Sequence, residues 1–319
     1  MSDLAQPLQP PSLASADTVR QALQDERYIC SNQIATAVFL AYQLQKPILV
    51  EGPPGVGKTE LAKTMARMLD LPLIRLQCYE GLDEAKALYE WKYGKQLLYI
   101  QVLKEQLADV LDGAKGLKDS VRRLHEFGDI FFSEEFLEPR PLLKALREEA
   151  GSVLLIDEID KADQEFESLL LEMLSDFQVS IPEIGTVKAS GQPPMVFLTS
   201  NNTREISDAL KRRCLHLYIP FPDKDLEQEI IRARVPEIPP ELRRQLVSFV
   251  HELREMDLKK VPAISETIDW ARTLLLLHAD QLDSDMVRET LNVILKFQDD
   301  IDTVSAELYS VTGRAFKQS

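Results

Sequence analysis

The chain has 319 residues, which suits one very large domain or two of ordinary size. Hydrophobic residues make up 45% of it and charged residues 28%, a composition typical of globular proteins and not of disordered chains. The formal net charge of −15 opposes long-range attraction to nucleic acid and to anionic membranes, and we interpret it as a contribution to solubility.

The cysteine pattern excludes two common classes of small stabilised fold. Cys30, Cys78 and Cys214 lie far apart, no C-x-x-C occurs, and the chain has only four histidines. This predicts neither a disulfide framework nor a zinc site and fits a reducing compartment. The first thirty residues lack the pattern of a signal peptide, and apolar stretches such as Leu274–Leu277 are far too short for a membrane span. We therefore predict a cytoplasmic protein without stable membrane insertion.

The N-terminal part of the chain predicts a leader followed by helices and two strands. Residues 1–17 are rich in Pro, Gln, Ala and Ser without a period, which predicts a mobile leader. Apolar residues then recur at helical spacing from Thr18 to Gln45. A buried strand at Pro47–Val50 leads into a glycine loop, a helix at Thr59–Leu69 and a second strand at Leu71–Cys78.

Residues 79–150 are ambiguous in pattern. The segment 89–102 (YEWKYGKQLLYIQV) fits either a hairpin around Gly94 or an amphipathic helix. The segment 103–129 has a helical pattern with glycine interruptions, and Leu142–Glu149 predicts one more helix.

Three more strands are predicted, at Ser152–Ile156, Met195–Ser200 and Leu215–Phe221. Between the first two, a helix at Asp163–Asp176, capped by Asp163, precedes two short strands in 178–189. Strands that alternate with helices indicate an α/β fold with a five-stranded parallel sheet and helices on both faces.

After Pro222 the strand signal stops. Four helices are predicted there, at 226–235, 241–256, 265–279 and 283–308. The predicted organisation is thus an α/β domain over 18–222 and a small all-helical lid domain over 223–319.

The strongest chemical signal is GPPGVGKT, which fits the phosphate-binding pattern G-x-x-x-x-G-K-[ST] between a strand and a helix. Glycines let the backbone curl so that its N–H groups face phosphate oxygens, and the helix N-terminus adds positive charge. Lys58 is expected to reach the β- and γ-phosphates of ATP, and the Thr59 hydroxyl to bind Mg²⁺. The predicted nucleotide-binding residues are Gly52, Pro53, Pro54, Gly55, Val56, Gly57, Lys58, Thr59 and Glu60.

Carboxylates follow the strand that begins at Ser152. Asp157 is expected at the carboxyl edge of the sheet as a second Mg²⁺ ligand, and Glu158 as the general base that polarises water. Asn201, at the end of the next strand, is expected to orient that water, with Asn202 as an alternative. The predicted catalytic set therefore includes Lys58, Asp157, Glu158 and Asn201.

Four segments in this order resemble the motifs of AAA+ ATPases, over roughly residues 30 to 310: GPPGVGKT, LLIDEID, FLTSNN and DALKRRC. Within that class the chain is similar to the MoxR group, through the long stretch between the second and third strands and the hairpin-like segment before the fourth. Three runs are similar to the MoxR-type ATPases that accompany molybdenum-containing carbon monoxide dehydrogenase: LQCYEGLDEAKALYEWKYGKQLL, TSNNTREISDALKRRC and ISETIDWA.

The resemblance implies a ring, a hexamer, that hydrolyses ATP and acts as a chaperone. The resemblance further implies that this ring remodels a protein client during metal-cofactor maturation, with carbon monoxide dehydrogenase as the expected client and a von Willebrand factor A-domain protein as the expected adaptor. It also implies a catalytic arginine finger from the neighbouring subunit, Arg213, with Arg212 as runner-up. The alternative function is a nucleic-acid-dependent AAA+ motor or a restriction-type NTPase, which the acidic charge disfavours.

One position departs from the family pattern. Related ATPases often place a sensing arginine at the start of the third lid helix, where Thr267 stands in this chain. Arg272 follows five residues later on a different helical face, so the identity of such a residue stays open between the two.

Overall fold

The computed structural model describes residues 13–102, 116, 133–182 and 184–317. Nine strands are described: β1 (Ile48–Glu51), β2 (Leu73–Gln77), β3 (Tyr89–Trp91), β4 (Leu137–Pro139), β5 (Val153–Asp157), β6 (Gln178–Ile181), β7 (Gly185–Lys188), β8 (Met195–Ser200) and β9 (Leu215–Tyr218). The helices up to the last strand are α1 (Ala16–Asp25), α2 (Asn32–Leu44), α3 (Lys58–Leu69), α4 (Glu84–Ala87), α5 (Tyr93–Val102), α6 (Pro141–Arg147), α7 (Gln164–Asp176) and α8 (Asp208–Arg213). After it come α9 (Lys224–Arg234), α10 (Pro240–Arg254), α11 (Ile264–Leu276), α12 (Ser284–Ile294) and α13 (Gln298–Lys317).

Five strands form one parallel sheet in the order β2–β5–β8–β1–β9, so the predicted α/β fold is confirmed. The register places Gln77 beside Asp157 and Glu51 beside both Ser200 and Tyr218. Because all five strands run the same way, their carboxyl ends meet at one edge of the sheet.

The sheet is covered on both faces, which explains why its strands have continuous apolar runs. In β5, Val153 and Leu155 pack into a cluster with helices α1, α2 and α3. Leu154 and Ile156 point the other way, into a cluster with α6 and α7. Each such buried side chain contributes about 1.5–3 kcal/mol relative to exposure. These two clusters therefore pack against opposite faces of the sheet.

For the segment 89–102, the helical alternative is confirmed over Tyr93–Val102, and the hairpin around Gly94 is wrong. The segment contains strand β3 and helix α5, and the partner of β3 is β4, in an antiparallel pair that joins Trp91 to Leu137. Gly94 lies within α5 and not in a turn. Most of the predicted helical segment 103–129 lies outside the described residues.

The two short strands predicted within 178–189 are confirmed. Strands β6 and β7 are antiparallel, and Ile181 pairs with Gly185 across the turn. The preceding helix α7 begins as predicted, with the Asp163 side chain accepting a hydrogen bond from the Phe166 N–H at 2.9 Å.

The predicted leader, residues 1–17, extends too far along the chain. Leu13 is fully buried in the cluster beneath α1 and α2, and the Gln43 side chain donates a hydrogen bond to its carbonyl. Helix α1 begins at Ala16, with Ser15 in a reciprocal capping box with Thr18. A buried leucine and a capped helix start fix residues 13–17 to the body of the protein.

The region after residue 222 is helical and has its own hydrophobic cluster, centred on residues such as Phe249 and Trp270. The single helix predicted at 283–308 is wrong. The backbone becomes extended at Leu295, so that α12 ends at Ile294 and α13 begins at Gln298. We call residues 224–317 the helical region. Throughout the described ranges, no helix combines the length and hydrophobicity needed to cross a bilayer.

Candidate active site

The glycine loop between β1 and α3, which we call the phosphate loop (Gly52–Thr59), needs its glycines for two physical reasons. Gly52, Gly55 and Gly57 have φ angles of 150°, 75° and 96°, a region that side chains rarely adopt. A Cβ on Gly52 would lie 2.1 Å from the carbonyl oxygen of Ile219, and one on Gly55 would lie 2.4 Å from Cβ of Ala263. The loop is therefore a tight cradle that packs against the residue after β9 and against the helical region.

Lys58 lies beneath this loop as the first residue of α3. Its Nζ donates hydrogen bonds to the carbonyl oxygens of Gly52 (2.6 Å) and Pro53 (2.7 Å) and to Oδ1 of Asn201 (2.8 Å). Only 6% of the residue is exposed, and burial lowers the pKa of Lys58 to about 8, against the opposing attraction of Asp160, Asp157 and Glu158.

Asp157 ends β5 and is held by three neighbours. Its Oδ1 accepts hydrogen bonds from the hydroxyls of Thr59 (3.0 Å) and Thr199 (2.5 Å). Its Oδ2 accepts hydrogen bonds from both Nη2 (2.6 Å) and Nε (3.1 Å) of Arg75. The structure thus brings together Thr59 and Asp157, the pair predicted from sequence to bind Mg²⁺. A hydroxyl and a carboxylate suit this ion, which otherwise keeps waters and phosphate oxygens as ligands.

Glu158 follows Asp157 in a left-handed conformation, with φ 59° and ψ 51°. Its carboxylate lies between β2 and the loop after β8. Oε2 accepts hydrogen bonds from Gln77 and Lys161, both at 2.7 Å, and Oε1 accepts one from Nδ2 of Asn201 at 3.4 Å. The Glu158 N–H donates to the Thr199 hydroxyl at 2.9 Å. Glu158 and Asn201 are therefore neighbours, as expected from the sequence.

Asp160 supports this edge from below, and the sequence analysis missed it. Its carboxylate accepts hydrogen bonds from the N–H of Asn201 (3.3 Å) and from the N–H and hydroxyl of Thr203 (3.0 and 2.5 Å). Burial raises the pKa of Asp160, but these hydrogen bonds outweigh burial and hold the pKa below its usual value. The buried charge fixes the loop after β8 and with it Asn201; Asn202 instead donates its N–H to the side chain of Ser200.

Arg75 and Gln77 were also missed. They stand two residues apart on β2, so their side chains share a face, and the pairing of β2 with β5 brings that face beside Asp157 and Glu158. The available signal was the alternation of polar and apolar residues along β2, a strand otherwise predicted to be buried. The sequence alone does not reveal that β2 lies beside β5.

A cavity of about 780 Å³ opens beside the phosphate loop, between the sheet edge and the helical region. Its polar wall includes Lys58, Thr59, Asp157, Glu158 and Asn201. Its apolar wall comes from three places, the start of α2 with the segment before it, the residues after β9 and the helical region: Ile29, Ile34, Ile219, Phe221, Leu226, Ile230, Ile264 and Ile268. A polar end beside a phosphate-type loop and a broad apolar wall suit a nucleotide with its base away from the loop.

Arg212 and Arg213 are absent from the described lining of this cavity. They end helix α8, where Arg213 donates from Nε to the Ser175 hydroxyl (2.6 Å) and from Nη1 to the Ala209 carbonyl (3.1 Å). Within one chain these arginines do not join the other predicted catalytic residues.

Neither candidate for a sensing residue faces the cavity. Thr267 is fully buried, and its hydroxyl donates to Oε1 of Glu227 at 2.9 Å. Arg272 is exposed and pairs with Asp269 on its own helix. From this helix, the cavity is lined instead by Ile264, Ser265 and Ile268. Arg234, at the end of α9, also lines it and pairs with Glu60 of α3 at 3.4 Å.

Comparisons with known proteins found relatives in sequence and similar solved structures. Two relatives, uncharacterized proteins of Staphylococcus epidermidis and Staphylococcus aureus, are 27% and 28% identical over 240 residues, which is 73% of this chain and 77% of each relative. Among solved structures, the RuvB Holliday junction branch migration motor of Thermotoga maritima is 19% identical, with a TM-score of 0.45 over 93% of this chain and 79% of that one. A variant of the same motor has a TM-score of 0.47 at 19% identity, with the same coverage.

A family model settles the broader classification. Residues 48–222, more than half of the chain, match the model described as the ATPase family associated with various cellular activities. The match begins at β1 and ends after β9, so it contains the phosphate loop, Asp157, Glu158 and Asn201. This chain belongs to the ATPase family associated with various cellular activities (AAA).

Proposed function

We propose that the protein hydrolyses ATP to ADP and phosphate with Mg²⁺ as cofactor. The observation that carries this proposal is the convergence of three pairs at one cavity: Lys58 with the phosphate loop, Thr59 with Asp157, and Glu158 with Asn201. The loop, Asp157 with Glu158, and Asn201 come from three separate parts of the sequence, and the parallel sheet brings all of them to the same edge.

Each residue has a distinct task in this proposal. Loop N–H groups and the Lys58 ammonium bind the β- and γ-phosphates, and Thr59 and Asp157 hold Mg²⁺, which neutralises phosphate charge. Glu158 accepts a proton from the attacking water, which Asn201 orients. Hydrogen bonds from Gln77 and Lys161 orient the Glu158 carboxylate.

A phosphate-release assay with three variants tests the division of tasks. We expect Lys58→Ala to lose both ATP binding and turnover, because the buried cation under the loop is gone. Glu158→Gln should bind ATP and turn it over about 10²–10⁴-fold more slowly, because an amide does not accept the proton. The matched control is Glu165→Gln on α7, whose side chain is exposed away from the cavity. Near-normal hydrolysis by Glu158→Gln would refute its role as the base.

We further propose that the protein acts as an oligomeric ring of the MoxR type, a hexamer, that remodels a protein client during metal-cofactor maturation. Two features support a client-facing surface outside the site: the β6–β7 hairpin and helix α5. On α5, Tyr93, Leu97 and Leu98 are each more than half exposed, whereas Trp91 is buried. The proposed client is carbon monoxide dehydrogenase, with a von Willebrand factor A-domain protein as adaptor.

The client is tested separately from the chemistry. Ile184 and Val187 of the hairpin pack against the core, so exposed positions are the better targets. We expect Tyr93→Ser with Leu97→Ser and Leu98→Ser to keep ATP hydrolysis and to lower activation of the dehydrogenase in cells. A strain that lacks the protein but makes fully metallated dehydrogenase would remove this client and leave the ATPase proposal intact. Turnover stimulated by nucleic acid would instead favour a nucleic-acid motor.

A further inference from the structure

The helical region touches the phosphate loop directly. A Cβ on Gly55 would lie 2.4 Å from Cβ of Ala263 and 2.8 Å from the Ser265 hydroxyl. Ala263 is the N-cap of α11, and Ile264 and Ser265 line the nucleotide cavity. The start of α11 is therefore both a wall of the cavity and a support behind the loop that is proposed to bind phosphate.

One guanidinium fixes this start of α11 to the rest of the helical region. Nε of Arg254, at the end of α10, donates to the carbonyl oxygen of Pro262 at 2.9 Å. Its Nη1 and Nη2 donate to Oε2 and Oε1 of Glu227 on α9, at 2.6 and 2.9 Å. The fork geometry uses three of the five donors of arginine, and lysine does not reproduce it.

Glu227 is a fully buried acceptor at the centre of three helices. It also accepts a hydrogen bond from the Thr267 hydroxyl of α11 and pairs with Nε2 of His251 on α10, both at 2.9 Å. Burial raises the pKa of Glu227, but the hydrogen bonds from His251 and Arg254 outweigh it and keep the pKa below its usual value. Glu227 therefore ties α9, α10 and α11 together as a charged group.

The same guanidinium also reaches the connection to the sheet. It stacks over the ring of Phe221 at 4.8 Å, and Phe221 lies in the segment between β9 and α9 and lines the cavity. Three parts of the cavity wall thus meet at Arg254: the connection at Phe221, helix α9 through Glu227, and the start of α11 through Pro262.

We propose that Arg254 and Glu227 are positioning residues for ATP binding. They hold the start of α11 against the phosphate loop, so that this part of the cavity wall is in place for the nucleotide. This inference rests on the proposed ATPase function. If the ion pair acted only on stability, a variant that restores stability would also restore the KM for ATP. Such a variant is feasible, because a buried pair often contributes no more to stability than apolar residues of similar shape.

The kinetic test uses Arg254→Lys, which keeps the charge but loses the fork and the planar face. We expect the KM for ATP to rise about tenfold with kcat changed less than about threefold, because the wall contributes to ground-state and transition-state binding alike. The matched control is Arg314→Lys, which alters an exposed ion pair to Glu252 in the same region at 3.0 Å. Its KM should stay at that of the parent protein.

A second variant separates positioning from stability. In Glu227→Gln with Arg254→Met, no unpaired carboxylate remains, so we expect the midpoint of thermal unfolding to return close to that of the parent. The KM should stay raised, because the variant has no guanidinium to donate a hydrogen bond to the Pro262 carbonyl or to stack on the Phe221 ring. A KM that recovers together with stability, or an unchanged KM in Arg254→Lys, would overturn the inference. Absence of ATP binding and hydrolysis in the parent protein would instead refute the proposed function itself.

Discussion

At the scale of single residues, the protonation state of Lys58 governs how strongly the phosphate loop binds ATP. Its three hydrogen-bond acceptors are two carbonyls and an amide, and none of these carries a charge. Burial therefore lowers the pKa of Lys58 to about 8. Most of the free protein carries the ammonium at pH 7 and the neutral amine at pH 9. Phosphate oxygens favour the charged form, so ATP binding at pH 9 takes up a proton.

We predict that ATP binds about tenfold more weakly at pH 9 than at pH 7, because the neutral amine must first be protonated. The measurement is calorimetric titration of ATP into Glu158→Gln, in which turnover does not interfere. Lys58→Arg on that background is the control, since a guanidinium stays charged over this range. If it binds ATP, its affinity should change little with pH. Equal affinities at pH 7 and pH 9 in the protein with Lys58 would contradict the prediction.

At the scale of elements, the junction of α9, α10 and α11 depends on the charge of Glu227. The pKa of Glu227 is lower in the folded protein than its ordinary value of 4.5. The folded state therefore binds fewer protons than the unfolded state. The stabilisation that comes from the Glu227 charge is fully present above the unfolded pKa and is lost as the pH falls through the folded pKa.

We predict that Glu227→Gln lowers the free energy of unfolding at pH 7 by about 3–5 kcal/mol, because Arg254 and His251 lose a buried charged partner. The difference from the parent protein should shrink on acidification below pH 4. Urea unfolding followed by circular dichroism at a series of pH values measures both. Glu241→Gln, in an exposed pair with Arg244, is the control and should change little. A loss that stays constant down to pH 3 would show that the charge of Glu227 is not its cause.

The sequence predicted those elements whose signals are local. The β1–loop–α3 unit combines an apolar run, glycines and a helix start, so Lys58 and Thr59 were found without knowledge of the fold. Strand β3 was not predicted, because it is short and its partner β4 lies more than forty residues away, so that no local signal marks the pairing. Arg75 and Gln77 were missed for a related reason, since their role depends on β2 lying beside β5. The end of α12 at Ile294 carries no Pro or Gly to mark it.

At the scale of the whole molecule, Arg213 poses a question of assembly. It ends α8, is held by Ser175 and the Ala209 carbonyl, and is absent from the described lining of the cavity. A role for Arg213 at the γ-phosphate therefore requires a neighbouring subunit. In a ring with head-to-tail contacts, each subunit presents its cavity to one neighbour and its α8 to the other.

We predict that Lys58→Ala and Arg213→Ala are each inactive in hydrolysis and that mixing them restores activity. In an equimolar mixed ring, about one quarter of the contacts pair an intact loop with an intact arginine, so about one quarter of the parent activity should return. Phosphate release is measured after subunit exchange, with differently labelled subunits used to verify that mixed rings form. Arg212→Ala in place of Arg213→Ala distinguishes the two arginines, since only the variant that lacks the finger is inactive alone. Mixed rings without activity would exclude a role for Arg213 in the neighbouring site, because every such ring contains complementary contacts.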